Sequence, residues 1–239
     1  MFFKEMIIVS SLYDIPFEKV KPASDLYEYL AFEKIRRRQL FFDGEITGTD
    51  EKGYYGFDSL SAGDLVQTIL QFNRDDCLAE QQFKLEHPKE KFTRRPIWLY
   101  VNSPGGRVYD GFAVASAIRI SKTPVYTVNL GMWASMAFMI GIAGKKRFAL
   151  PYSIFLSHDG SSVVFGTTGQ VHDTADFSKR FEEQVSKNHI LSCTKITEEE
   201  YRKHERKEWF MLPDEAKKYG CIDHIVSSLD ELFSKDADV

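Results

Sequence analysis

Along the chain, continuously apolar stretches alternate with stretches in which apolar residues return every three to four positions. The first kind is typical of buried strands in a parallel sheet and includes PIWLYVN, TPVYTVNL and SIFLSH. The second kind predicts amphipathic helices and includes SAGDLVQTILQFN and TGQVHDTADFSKRFEEQVSKNHILSC. Because the two kinds alternate, the pattern predicts an α/β fold with a mainly parallel sheet.

The predicted elements form one domain over residues 36–230, between an N-terminal segment (1–35) and a C-terminal tail (231–239). Residues 74–95 are unusually rich in charge, and we expect them to form an extended surface insertion. Further helices are predicted over 24–40, 108–121 and 197–210. Further strands are predicted in QLFFDGEIT and near the end of MLPDEAKKYGCIDHIV, after a turn and a short helix.

The most apolar stretch, VYTVNLGMWASMAFMIGIAG, runs from Val125 to Gly144 and is just long enough to cross a membrane, which takes about 20 residues. Its first half is rich in Val, Thr and Tyr, which favour a strand. Its second half suits a short buried helix. We therefore interpret it as a strand, a turn at residues 131–135 and a helix, with Ser135 at the junction.

The composition limits the kinds of partner and site that we expect. The 239 residues are 43% hydrophobic and 28% charged, with a net charge of −4 and a pI of about 5.9. This balance gives no electrostatic reason to expect nucleic acid or an anionic membrane as a partner. The three cysteines are far apart and form no CxxC pair, which indicates reduced thiols in a cytoplasmic protein without a zinc site. The N-terminal residues predict no targeting segment.

The SPGG motif at residues 103–106 lies between a predicted strand and a predicted helix. One interpretation is a tight turn that needs two glycines. The other is a bare backbone whose N–H groups face a ligand at a helix N-terminus, where they can hold an oxyanion. The motif is not a phosphate-binding P-loop, because the GK[ST] ending is absent.

Ser135 and His158 are candidates for nucleophilic chemistry. Ser135 is either a helix cap or a nucleophile whose developing oxyanion would meet the N–H of Met136. Its surroundings, MWASMA, differ from the GxSxG elbow. A serine nucleophile needs a base, and His158 follows an apolar strand, whereas the other five histidines lie in polar segments.

The motifs occur in an informative order. IWLYVNSPGGRVYDGFAVASAI, GMWASMA, GKKRFALPYSIFLSH and DEAKKYGCID together resemble the ClpP family of serine peptidases, over residues 40–47 and 96–226. The resemblance implies that Ser135 is the nucleophile and His158 its general base. The N–H groups of Gly106 and Met136 would form the oxyanion hole. Glu208 stands where the family has the aspartate of its triad, which is a departure from the pattern.

The resemblance also implies a ClpP/crotonase-like α/β fold of repeated ββα-type units, with a protruding handle helix over 170–192. It implies homo-oligomeric stacked rings of seven subunits, unfolded polypeptides as substrates and an AAA+ unfoldase as partner. No metal or organic cofactor, nucleic acid or membrane is implied. HDGSSVVFGTTGQ departs from the usual His–Gln–Pro opening of the peptide-binding strand, and residues 1–35 show no clear match to the axial loops.

Three alternatives remain open from the sequence. The chain is a non-catalytic subunit of a mixed ring if the substitution at Glu208 removes the triad's acid. An acyl-CoA enzyme of the related crotonase fold would also use a glycine-lined oxyanion hole, but such enzymes usually act through carboxylates. A membrane-anchored Ser–Lys peptidase would require an anchor, and none is evident in the sequence.

Overall fold

The structure is a computed structural model and describes residues 34–46 and 61–232. Its strands are β1 (Gln39–Asp43), β2 (Ile97–Ser103), β3 (Val125–Ala134), β4 (Lys146–Ala149), β5 (Ile154–Ser157), β6 (Trp209–Met211) and β7 (His224–Ile225). Its α-helices are α1 (Ala62–Glu86), α2 (Val108–Ile120), α3 (Met136–Ile142), α4 (Thr168–Phe181), α5 (Lys187–Cys193), α6 (Glu198–His204) and α7 (Pro213–Lys218). A π-helical turn (Glu182–Ser186) joins α4 to α5, and a 3₁₀ turn (Leu229–Leu232) follows β7.

The strands form one sheet in the order β1-β2-β3-β4-β7, and all of these neighbours are parallel. The long strand β3 has two partners on one side: its first half pairs with β4 and its last three residues pair with β5. The short strand β6 then adds to β5 in the antiparallel direction. The carboxyl ends of β2, β3 and β5 therefore meet at one edge of the sheet. The predicted α/β class with a mainly parallel sheet is confirmed.

Both faces of the sheet are covered, which explains why its strands are apolar without alternation. In β2, Leu99 and its alternate neighbours point into a large core that α1, α2 and α3 also fill. Trp98 and Tyr100 point to the opposite face, where they join a smaller and mainly aromatic core with Tyr126 and Phe148. A strand buried on both faces reads as a continuous apolar run, as PIWLYVN does.

Helix α1 corrects the prediction for residues 74–95, because the helix continues to Glu86 where we expected an extended insertion. The turns that follow Phe72 keep the helical spacing, but their buried position is occupied by Asp76 rather than by an apolar residue. Side-chain contacts one turn apart, such as that between Lys84 and Glu80, line the exposed face. Because the buried position of these turns is charged, the sequence does not show the helical spacing of apolar residues there.

Several element boundaries also differ from the sequence predictions. Strand β3 continues through Gly131 to Ala134, so the turn predicted over 131–135 contracts to Ser135. The helix predicted over 197–210 ends at His204, and the following residues turn back into β6. The helix predicted over 24–40 falls mostly outside the described residues, and β1 already begins at Gln39. The N-terminal segment and most of the tail also lie outside them.

The predicted long charged helix is confirmed as the continuous helical run from Thr168 to Cys193. No side chain of α4 is buried, so this part of the run stands away from the body of the molecule. Its base is tied to α6 by two ion pairs, one between Glu183 and Arg202 and the other between Lys187 and Glu198. Hydrogen bonds from Arg202 and Lys187 hold the pKa of the Glu183 carboxyl at about 2.

Within the described ranges, no helix has the length and apolarity that crossing a membrane demands. The stretch from Val125 to Gly144 is divided between β3 and α3, and the division falls at Ser135. Every residue of α3 is buried, which accounts for its apolar composition.

Candidate active site

Ser135 has a strained backbone at the junction between β3 and α3. Its φ of 54° and ψ of −122° lie outside the regions that non-glycine residues ordinarily occupy. The Ser135 N–H donates to the carbonyl of Leu156 at 2.9 Å, so the conformation is held by the neighbouring strand. The residue stands at the N-cap position of α3, yet its hydroxyl makes no capping hydrogen bond. A helix cap therefore does not explain the serine, and strain of this kind concentrates at functional sites.

The SPGG motif packs directly against this serine. Gly105 has φ of +103°, and a Cβ atom placed on it would lie 2.6 Å from the Cβ of Ser135 and 2.7 Å from the Ala134 carbonyl oxygen. Only glycine fits this position, because the two backbones approach too closely for a side chain. The hydroxyl of Ser103 accepts a hydrogen bond from the Gly105 N–H at 3.1 Å and fixes the turn. The motif is thus both a tight turn and a wall of the Ser135 site.

Two backbone donors lie beside the same junction. Met136 is the first residue of α3, and an N–H at that position has no acceptor inside its helix. Gly106 bridges to Ile46, but the hydrogen bonds of this bridge are made by the Gly105 carbonyl and the Arg107 N–H. The N–H of Gly106 therefore points away from Ile46. Donors of this kind are suited to stabilise negative charge on an oxygen.

His158 follows β5, whose residues run alongside the last residues of β3. The pairing of Ala134 with Leu156 brings Ser135 and His158 to the same edge of the sheet. Asn129 keeps the two strands in register. Its amide donates to the Ile154 carbonyl at 2.9 Å, and its side-chain oxygen accepts from the Gly131 N–H at 3.0 Å.

The positioning role of Asn129 was missed in the sequence analysis. The available signal was an amide in the middle of an apolar run, since a fully buried polar side chain must be hydrogen-bonded. For Gly105, the sequence predicted only that it belongs to the SPGG turn. Its contact with Ser135 depends on how β2 and β3 align, which the sequence does not specify.

Glu208 lies opposite His158 by strand register. In the antiparallel pair of β5 and β6 the last partners are Ser157 and Trp209, and the same register carried one residue further would place His158 opposite Glu208. His158 is half-buried and Glu208 is exposed. Among the described residues, no hydrogen bond joins the Ser135 hydroxyl to His158 or His158 to Glu208. The fold thus brings the three residues to neighbouring positions without linking them.

Further carboxylates lie close to His158. Asp159 follows it directly, and the π-helical turn brings Glu182 toward the same region. Burial raises the pKa of Glu182, and the charges of Asp159 and Glu205 raise it further. The start of the π-helical turn therefore brings a carboxylate near Asp159, the residue that follows His158.

The structure matches a solved structure of a ClpP1 mutant from Listeria monocytogenes, with a TM-score of 0.64 and 23% sequence identity. The match covers 85% of this chain and 99% of the Listeria chain. The fold is therefore that of ClpP, which confirms the predicted ClpP/crotonase-like class.

The sequence places the chain in a family. The Clp protease family model matches residues 69–229. The chain is 30% identical over 222 residues to ATP-dependent Clp protease proteolytic subunit 2 of Prochlorococcus marinus, a match that covers 90% of this chain and 92% of that protein. It is 37% identical over 142 residues to proteolytic subunit 3 of Streptomyces coelicolor, which covers 57% of this chain and 63% of that protein's length. The chain therefore belongs to the Clp protease family.

Proposed function

We propose that this protein is a serine peptidase of the ClpP type that cleaves unfolded polypeptides. The observation that carries the proposal is the conformation of Ser135 between the SPGG loop and the N-terminus of α3. Its backbone is strained, and its hydroxyl makes no capping hydrogen bond to the helix. Relatives whose names describe proteolytic subunits of ATP-dependent proteases support the same activity.

The mechanism begins with attack of the Ser135 hydroxyl oxygen on a peptide carbonyl, while His158 accepts the hydroxyl proton. The carbonyl oxygen gains negative charge and is stabilised by the N–H groups of Gly106 and Met136. His158 then gives its proton to the leaving amine, and an acyl-enzyme remains on Ser135. A water molecule activated by His158 hydrolyses this ester and restores the serine. No metal or organic cofactor is needed for these steps.

We further propose that the active form is a homo-oligomer of two stacked seven-membered rings in the cytoplasm, fed by an AAA+ unfoldase. The helical run from Thr168 to Cys193 would form the contact between rings, since no side chain of α4 is buried in the single chain. Substrate binding within the assembled rings would then complete the hydrogen bonds between the catalytic residues. Such bonds are often long in a protein without substrate and tighten only in the productive complex.

The proposal is tested by turnover of a short fluorogenic peptide, which needs no unfolding. The purified chain is expected to hydrolyse it, and Ser135→Ala is expected to reduce the rate to background. Ser157→Ala, which changes a serine on the adjacent strand, is the matched control and should keep wild-type activity. Equal hydrolysis by wild type and Ser135→Ala would show that the activity does not come from this site.

A second candidate function is a non-catalytic subunit in a mixed ring. Two observations favour it: Glu208 stands where the family has an aspartate, and no hydrogen bond among the described residues connects Ser135, His158 and Glu208. Under this alternative the purified chain does not hydrolyse the fluorogenic peptide. It contributes to hydrolysis only when mixed with an active paralogue.

Glu208 is expected to act as the acid that orients His158. Glu208→Gln should lower kcat by up to about 10⁴-fold with little change in KM, because an amide favours the wrong imidazole tautomer. Glu208→Asp should retain most of the activity or exceed it, since it restores the family's residue. The measurement is steady-state peptide hydrolysis, with Glu199→Gln on α6 as the control for loss of a surface carboxylate. Unchanged kcat in Glu208→Gln would remove this residue from the mechanism.

A further inference from the structure

Helix α3 is short, and its carboxyl end is held by side chains from other elements. The helix has seven residues, so it spans only about 10 Å between Ser135 and its last turn. Its end is irregular, because the Ala143 N–H donates to the Ile140 carbonyl rather than to that of Met139. The Met139 carbonyl thus lacks the donor that a longer helix would supply.

His189 supplies that missing donor from the helix that follows the π-helical turn. Its Nε2 atom lies 2.8 Å from the Met139 carbonyl oxygen. A carbonyl oxygen has no proton to give, so Nε2 carries the hydrogen and donates it. The hydroxyl of Thr127 holds the Gly141 carbonyl in the same way at 2.7 Å. The far end of α3 is therefore fixed on one side by α5 and on the other by β3.

The surroundings of His189 keep it in the form that can donate. Its other nitrogen, Nδ1, faces the Cys193 thiol at 3.7 Å, where it accepts from the S–H. The ring packs edge-to-face against Phe112 with centroids 5.7 Å apart. Burial lowers the pKa of His189, so its ring is neutral near pH 7 and carries one hydrogen. The carbonyl and the thiol together select the tautomer with that hydrogen on Nε2.

We propose that His189 is a positioning residue for the peptidase site. It holds the carboxyl end of α3 and thereby fixes the direction of the helix at its other end, where Ser135 and the Met136 N–H lie. The inference rests on the proposed function of Ser135. It also makes the long helical run a determinant of site geometry, because α5 is its last segment.

Two substitutions separate the hydrogen bond from the volume of the ring. His189→Met keeps most of the volume and removes the donor, whereas His189→Gln places an N–H close to the position of Nε2. Full-length variants are compared by kcat and KM for a fluorogenic peptide. Hydrogen exchange of the peptide that covers residues 136–144 is measured in parallel.

His189→Met is expected to lower kcat about tenfold with KM changed less than about twofold, because displacement of reacting groups by a fraction of an ångström is costly. Amides in residues 136–144 should exchange faster in this variant. His189→Gln is expected to stay within about threefold of wild type in kcat and to restore the exchange rates. A purely volume-filling role would not produce this rescue.

The proposal is overturned if His189→Met matches wild type in kcat and exchange, or if His189→Gln is as impaired as His189→Met. Failure of the proposed function gives a different result. In that case no form of the chain hydrolyses the peptide at Ser135, while exchange in residues 136–144 still reports whether His189 holds α3. Equal exchange in the Met and Gln variants would then reject the positioning role by itself.

Discussion

His158→Ala is expected to lower kcat for peptide hydrolysis by about 10⁶-fold, with KM nearly unchanged. Residues that act as a catalytic unit are not additive, so loss of the base alone removes about as much rate as loss of the whole unit. The residual rate would come from the N–H donors of Gly106 and Met136, which need no base.

The matched control for this prediction is His87→Ala, which removes an exposed histidine directly after α1. It should leave kcat within about twofold of wild type. A His158→Ala variant that keeps more than a tenth of the wild-type kcat would mean that another group takes the serine proton. The double variant with Ser135→Ala should be no slower than either single variant, because both remove the same unit.

Asp76→Ala is expected to lower the free energy of unfolding by about 3–5 kcal/mol. Asp76 is 4% exposed and its two carboxylate oxygens accept from both terminal nitrogens of Arg38, which is 3% exposed. The Thr123 hydroxyl donates to the same carboxylate at 2.6 Å. Removal of the carboxylate breaks a buried ion pair and takes away the acceptor of both terminal nitrogens of Arg38, and breaking a buried pair by removing one member is costly.

Urea unfolding at fixed protein concentration, followed by tryptophan fluorescence, measures this effect. Asp75→Ala is a close control, since Asp75 is the adjacent residue on α1 and accepts from Gln71 at the surface of the helix. The control should change stability by less than about 0.5 kcal/mol. Similar costs for the two variants would show that the Arg38–Asp76 pair does not anchor α1 to the start of β1.

The parallel core was predictable because burial on both faces leaves a strong local signal. The runs that contain Leu99 and Val128 are apolar without alternation, and this pattern specifies buried strands whatever their neighbours are. The helix at residues 74–86 was not predictable in this way. Its buried position is filled by Asp76, whose partner Arg38 is distant in sequence, so local periodicity gives no indication of burial.

The candidate site was predictable only in part, for the same reason. Ser135 and His158 each follow an apolar strand, and parallel strands bring their carboxyl ends to one edge. Glu208 instead depends on β6, a three-residue strand preceded by charged residues with helical spacing. Its pairing with β5 is determined by tertiary contacts rather than by propensity. The strained backbone of Ser135 and its contact with Gly105 likewise required the structure.

The central claim is that the Ser135 hydroxyl is the nucleophile, and mapping of a covalent adduct tests it most directly. The full-length protein is treated with a fluorophosphonate, digested and sequenced by mass spectrometry. A single phosphonyl group on Ser135, absent from the Ser135→Ala variant, is the predicted result. An unmodified Ser135 in wild type, or an adduct on another residue that persists in Ser135→Ala, would contradict the assignment.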